Sequence, residues 1–459
     1  MYDLSKSFLD FYKNYVGLPA DKQNELRKKR DLNLERLKAG LKEYNEEHKT
    51  DFKISETRTQ GSMAMHTVVQ NDGNDYDIDV AIVFEKDNLA GKGAQAIKNV
   101  IVDVLKRKCT GFTTEPEAKT NCVRIVYANG YHVDFAIYRR FKENTTDKEY
   151  KYEHAGSTWT ARNPAAINNW FNDEITDKGQ VLRQVIRLSK MFCKSRADWV
   201  NMPGGLLQTV LCDEKLQNYD RLDEAFYYTM LEIKKRLDNS VEVNNPTDSS
   251  LSLLQTENHR QKMRNWCSRL NGKLSELDIL FDENCSDTDA KNAWYKFFNH
   301  DYWIASSKST ISESCQKSLY SFSNTEQFIE DLYNMDEQYT VKIDCIISKN
   351  GFRDMPILSF LEKFNGCLPH GFSIDCSIGY TDAPRYDMIL WKVRNVGAVA
   401  EQKNMIRGQI QNRGASIHEN SQFYGAHYIE CYLIQGNKCI AVGHVDIPIA
   451  LVNKNWTQN

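Results

Sequence analysis

The sequence predicts a mixed α/β (α+β) protein in three parts: an α/β lobe, a helical lobe, and a small β-rich C-terminal domain. Three observations carry this. Residues 78–84 are apolar but for Asp79, largely β-branched and free of Gly and Pro, as in a buried strand. From 163 to about 237 apolar residues recur at helical spacing. Beyond 324, short β-type runs alternate with Gly, Asn, Asp and Pro, the pattern of a small sandwich. A chain of 459 residues fits two or three domains, each with its own core. The expected boundaries are 1–160, 161–320 and 324–459.

In chain order, residues 1–48 read as helices. Leu4, Phe8, Phe11 and Tyr12 share one face, and Leu26, Leu32, Leu34, Leu37, Leu41 and Tyr44 mark a long second helix on the outside of the core. The cationic run Arg27 to Arg30 is expected to be a solvated face. A strand over 52–58 precedes Gln60-Gly61-Ser62. Residues 92–106 form a helix through Ala96, Val100, Val104 and Leu105, and Val123–Tyr127 with Tyr131–Tyr138 form a hairpin closed at Ala128-Asn129-Gly130.

Asp77 and Asp79 open the apolar strand, and because alternate side chains share a face they stand together while Ile78 and Val80 enter the core. Two carboxylates that close repel unless a cation lies between them, and all-oxygen ligands suit Mg²⁺. Asp134, in Val133-Asp134-Phe135, adds a third. Upstream, Gly61-Ser62 joins a strand to a short helical run. A glycine admitting close backbone approach, a small hydroxyl and free helix N–H groups form an anion site. A lone Gly-Ser or Asp-x-Asp carries little; the ordered set indicates metal and phosphate together.

Arg183, Arg187, Lys190 and Lys194 form one stripe of a helix whose other face, Val185, Ile186, Leu188 and Phe192, is apolar. Pro203-Gly204-Gly205 opens the next helix and can present N–H groups to phosphate. Trp266, Trp294, Phe297 and Phe298 are expected to form the core of the helical lobe. A Ser-rich linker is placed at 306–323. Strands are expected at 339–347, 372–380, 386–393, 427–434 and 438–445.

A net charge of −3 and a pI near 6.4 leave no global basic field for nucleic acid, so nucleic-acid activation is not indicated. The 12 cysteines show no zinc spacing, and no leader or transmembrane run is seen. The expectation is a cytoplasmic protein with reduced thiols, without zinc or membrane.

The order Gly-Ser, Asp-x-Asp heading a strand, and a later lone Asp resembles the polymerase-β-like nucleotidyltransferases. In the form Gln60-Gly61-Ser62 with Asp75-Tyr76-Asp77-Ile78-Asp79-Val80, it is similar to the bacterial relatives of cyclic GMP-AMP synthase and oligoadenylate synthetase that act in anti-phage defence. The resemblance implies two Mg²⁺ ions, or Mn²⁺, on Asp77, Asp79 and Asp134, with Gln60, Gly61, Ser62 and Lys190 on a triphosphate. It implies ATP or GTP, or a pyrimidine triphosphate, as substrate and a cyclic di- or trinucleotide as product. The family's Ser-Tyr pair after the lysine helix is replaced here by Pro203-Gly204-Gly205, so no base-stacking residue is assigned. Residues 390–397, 406–408 and 427–432 resemble the C-terminal sensor-type domain of some of these synthases, which implies a regulatory ligand or protein there. Alternatives are a linear oligonucleotide synthetase, an RNA or small-molecule nucleotidyltransferase, and a catalytically idle nucleotide-binding scaffold.

Overall fold

The computed structural model describes residues 1–71, 75–304, 326–364 and 366–450. The chain divides into two compact units, Met1–Ile311 and Ser312–Asn459. The Ser-rich linker expected at 306–323 lies outside the described residues.

The first unit begins with α1 (Ser5–Phe11) and α2 (Ala20–His48), then β1 (Ile54–Gln60), α3 (Gly61–Ala64), β2 (Asp77–Glu85) and α4 (Ala94–Lys106). Short strands β3 (Glu117–Ala118) and β4 (Val123–Val126) precede β5 (His132–Phe141), β6 (Lys151–Ala155) and β7 (Trp159–Ala161). The sheet runs β1-β2-β5-β4-β3, with β6 on β5 and β7 beyond it. β2 and β5 are parallel and their other neighbours antiparallel. Strand alternation sends Ile78, Val80, Ile82, Val133 and Phe135 to one face, where they are buried with Leu37 of α2 and Ile97, Ile101 and Val104 of α4. Each such side chain contributes about 1.5–3 kcal/mol by leaving water. The strand that carries the acids is therefore anchored by its own alternate residues.

Arg27 and Arg30 depart from the expected solvated face, since both are 5% exposed. Arg30 donates to the Thr59 hydroxyl at 2.9 Å, which ties α2 to β1. A charge run cannot reveal in advance which of its members a crossing strand will cover.

Helices α5 (Ala166–Lys178), α6 (Gln180–Lys194), α7 (Gly205–Lys215) and α8 (Leu222–Asn239) follow, then a hairpin of β8 (Asn244–Asn245) and β9 (Asp248–Ser252), then α9 (Glu257–Leu274) and α10 (Asp287–Phe298). Trp266, Trp294, Phe297 and Phe298 are fully buried at their centre, as expected. α1 joins this helical core: the Phe8 ring lies 4.7 Å from Trp294 and 5.9 Å from Phe226. A capping box of Ser286 and Asp289 starts α10 by satisfying two otherwise free N–H groups.

The second unit contains β10 (Asn334–Met335), β11 (Val341–Lys349), β12 (Phe352–Pro356), α11 (Ile357–Lys363), β13 (Ser373–Thr381) and β14 (Met388–Arg394). It continues with α12 (Ala398–Gln402), β15 (Arg407–Asn412), β16 (Ser416–Asn420), β17 (Gly425–Gln435) and β18 (Lys438–Ile449). Two sheets, β10-β18-β17-β14-β15 and β12-β11-β13-β16, enclose Ile343, Ile347, Ile374, Trp391, Ile429 and Leu433. This is the expected β-rich domain. Cys345 and Cys376, cross-strand partners on β11 and β13, form a disulfide, which corrects the expectation that all thiols are reduced. Two cysteines 31 residues apart in sequence gave no sign of facing one another. Among the described residues no helix is long and apolar enough to cross a membrane.

Candidate active site

Backbone pairing aligns five polar residues in one row across the first unit's sheet. Gln60 at the end of β1 pairs with Asp79, Asp79 with Asp134, Asp134 with Arg124, and Arg124 with Glu117. Asp77 stands two residues before Asp79, on the same face. The helices α2 and α4 cover the opposite face, so the acids look away from the sheet's main core.

Gly61 and Ser62 begin α3 beside this row. Gly61 has φ +63°, and a Cβ on it would collide with the Asp79 carboxylate, so both backbone and space demand glycine. The loop then closes on itself: Met65 N–H donates to the Gly61 carbonyl at 3.1 Å and Thr67 N–H to the Ser62 carbonyl at 2.8 Å. The Gln60 side chain donates to the Pro164 carbonyl at 2.6 Å and reaches the Tyr138 hydroxyl at 3.4 Å.

Burial raises the Asp79 carboxyl to about 8, with Asp77 and Asp134 adding repulsion and Arg124 and Arg162 opposing it. Asp134 already has a cation: Arg124 Nε lies 2.8 Å from Oδ1 and Nη2 2.6 Å from Oδ2. Among the described residues, no three His, Cys, Asp or Glu side chains converge closely enough to hold a metal ion. Asp79 and Asp134 are neighbours in register, but Asp134 is turned to its arginine.

The basic stripe of α6 faces the loop after α3. Arg183 Nε donates to the Met65 carbonyl at 3.2 Å, Arg187 Nε to the His66 carbonyl at 2.7 Å, and Lys190 Nζ to the Thr67 carbonyl and hydroxyl at 3.2 and 2.7 Å. Three successive carbonyls are held by one helix face over about two turns. Arg183 and Lys190 are 2% and 7% exposed, so this part of the stripe is an interior contact. Burial lowers Lys190 to about 7, against the pull of Asp77. At Gly205 a Cβ would stand 3.1 Å from Lys190 Cε, so the Gly-Gly start of α7 leaves room for this lysine.

Sequence reasoning named the acids, the Gly-Ser turn and Lys190, and missed Arg124, Thr67 and Arg162. Arg124 was recoverable: a hairpin closed at 127 and 131 sets 124 opposite 134. Nothing in the sequence marks Thr67 or Arg162.

Two domain families match. Residues 55–138 match the nucleotidyltransferase domain of the cyclic GMP-AMP synthase DncV-like family, and residues 323–450 match the adenylyl/guanylyl and SMODS C-terminal sensor domain. A cyclic GMP-AMP synthase of Escherichia albertii is 24% identical over 407 residues, spanning 85% of this chain and 83% of that protein. The fold is similar to the GTP-bound form of Vibrio cholerae DncV, with a TM-score of 0.52 and 16% identity over 64% of this chain and 95% of that one. It is also similar to E. coli MS115-1 CdnC with ATP, with a TM-score of 0.50 and 13% identity over 65% of this chain and 98% of that one. Residues 55–138 are thus similar to a cyclic GMP-AMP synthase DncV-like nucleotidyltransferase domain, and residues 323–450 to a C-terminal sensor domain of the adenylyl/guanylyl and SMODS type.

Proposed function

We propose that the chain joins nucleoside triphosphates, ATP or GTP foremost, into a cyclic di- or trinucleotide messenger with release of pyrophosphate, as part of anti-phage signalling. The observation that carries this is the row Gln60, Asp79, Asp134 beside Gly61-Ser62, with Asp77 on the same face. The family match and the nucleotide-bound forms of Vibrio cholerae DncV and E. coli CdnC support the same substrate class.

The donor set fits Mg²⁺, or Mn²⁺ in its place: every candidate donor is a carboxylate oxygen, and the carboxyl of Asp79 is held up to about 8 by burial, with repulsion from Asp77 and Asp134 adding to it. Asp77, Asp79 and Asp134 would hold two such ions, which when bound stabilise the charge on the attacking and leaving oxygens of the displacement. Asp77 and Asp79 would fix the donor triphosphate's position, and Asp134 would serve the side of the acceptor ribose hydroxyl. Gly61 and Ser62 bring backbone N–H and a hydroxyl up to the phosphates. Lys190, already on the loop at Thr67, supplies a positive charge on the leaving side. Positioning and charge stabilisation carry the transfer, since no protein group forms a covalent bond. Pyrophosphate release from mixed triphosphates, with analysis of the product by mass spectrometry, tests the assignment. The sensor domain, joined after the catalytic unit, is proposed to take a regulatory ligand or protein.

A further inference from the structure

We propose that Arg124 is a positioning residue: it serves as the resident counter-cation of Asp134, and Asp134 reaches metal only when this guanidinium lets go. The inference rests on the reading of the three aspartates as metal ligands and deepens it.

The geometry is specific. Arg124 and Asp134 are directly opposed on antiparallel β4 and β5, and both carboxylate oxygens accept from the guanidinium, at 2.8 and 2.6 Å. Such a two-point bond fixes the plane and rotamer of the carboxylate. The side chain of Asp134 is 6% exposed, and its register neighbour is another acid, Asp79. Left alone, a buried carboxylate beside a second one would be strongly disfavoured. Arg124 removes that penalty while the site is empty of metal, and the arginine is itself held firmly protonated by Asp134.

The two partners differ in freedom. The Arg124 side chain is 33% exposed and long enough to swing outward, whereas Asp134 is fixed within the sheet. On its other side Arg124 pairs in register with Glu117, a half-exposed acid that is ion-paired with Lys119 and whose carboxylate the released guanidinium would share. A divalent cation does for Asp134 what Arg124 does, and the two compete for the same lone pairs. Asp77 and Asp79 can load first; Asp134 joins by exchange.

The test is titration of Mn²⁺ alone into the full-length, nucleotide-free protein, followed by electron paramagnetic resonance. Arg124→Gln is expected to bind Mn²⁺ about tenfold more tightly than wild type, the scale of one charge-assisted hydrogen bond. Adding Asp134→Asn is expected to abolish that gain. A purely structural arginine would give no gain. Unchanged or weaker binding in Arg124→Gln, or a gain that survives Asp134→Asn, overturns the proposal. Should Arg124→Gln fail to fold, Arg124→Lys keeps one charge without the two-point bond; a smaller gain supports the exchange, and none overturns it. If instead Asp77→Asn leaves Mn²⁺ binding intact, the metal reading itself fails.

Discussion

Lys190 grips Thr67 at two points, its ammonium lying 3.2 Å from the carbonyl and 2.7 Å from the hydroxyl, so the helical lobe holds the loop that follows Gly61-Ser62. Burial lowers this lysine to about 7. Because the folded value lies below the unfolded one, the unfolded chain binds more protons between about pH 7 and 10.5, and the penalty for burying the charge fades as pH rises through that window. A triphosphate favours the charged form, so binding at pH 8 should take up a proton. Calorimetry in two buffers of different ionisation enthalpy is expected to show greater uptake in wild type than in Lys190→Met. The variant should also lose one to two orders of magnitude in affinity, the worth of about 1.5–3 kcal/mol. Equal proton uptake and affinity in both proteins would remove Lys190 from the phosphate site.

Gly61→Ala should damage the site through space and backbone together. The added Cβ meets the Asp79 carboxylate, and the φ of +63° costs an L-residue about 1–2 kcal/mol. Triphosphate and Mg²⁺ binding are expected to fall sharply with only a modest drop in melting temperature, measured by thermal shift with and without ligand. Wild-type binding in this variant would show that the close approach of Gly61 to Asp79 is dispensable.

A chain ending at Ser321 should stay folded. It retains α1–α10 and the whole catalytic sheet, including the Phe8–Trp294 contact that fixes the N-terminus in the helical core. Nucleotide and Mg²⁺ should bind as in the full chain, while turnover changes if the sensor domain regulates it. A soluble, compact truncation that binds neither would mean that the second unit completes the site.

Reduction of Cys345–Cys376 should lower the stability of the sensor domain. The bridge spans 31 residues, for which chain entropy gives about 3–4 kcal/mol. Melting of the second unit with and without dithiothreitol reads this directly, with Cys345→Ser as the control. A melting temperature that reductant does not move would show that the pair contributes nothing to the fold.

The parts legible in the sequence are those where one local pattern decides the outcome. The alternation of Asp77-Ile78-Asp79-Val80 fixes which face carries the acids, and the apolar runs at 427–434 and 438–445 became β17 and β18. β15 and β16 escaped notice because Arg407-Gly408-Gln409-Ile410-Gln411-Asn412 and Ser416-Ile417-His418-Glu419-Asn420 are polar edge segments with little alternation. Charged residues were the least legible. Arg30, Arg183 and Lys190 read as members of helical stripes, yet each is buried because a neighbouring strand or loop offers it carbonyl or hydroxyl oxygens. Burial of a cation depends on an acceptor distant in sequence, and no local period encodes that. Arg124 lies between these cases, since hairpin register alone sets it opposite Asp134.

The central claim is that Asp77, Asp79 and Asp134 together support nucleotidyl transfer that yields a ring. The most direct measurement is pyrophosphate release from mixed triphosphates with Mg²⁺, followed by phosphatase digestion and mass spectrometry of the surviving product. Wild type is expected to give a phosphatase-resistant product. Asp77→Asn, relieved of one repelling charge, and Asp79→Asn, which replaces a carboxyl already largely protonated below about pH 8 without metal, should give none while melting at or above the wild-type temperature without metal. Asp134→Asn should still bind triphosphate and fail at transfer. Normal turnover in Asp77→Asn would contradict the mechanism, and products trimmed by phosphatase would contradict the cyclic assignment.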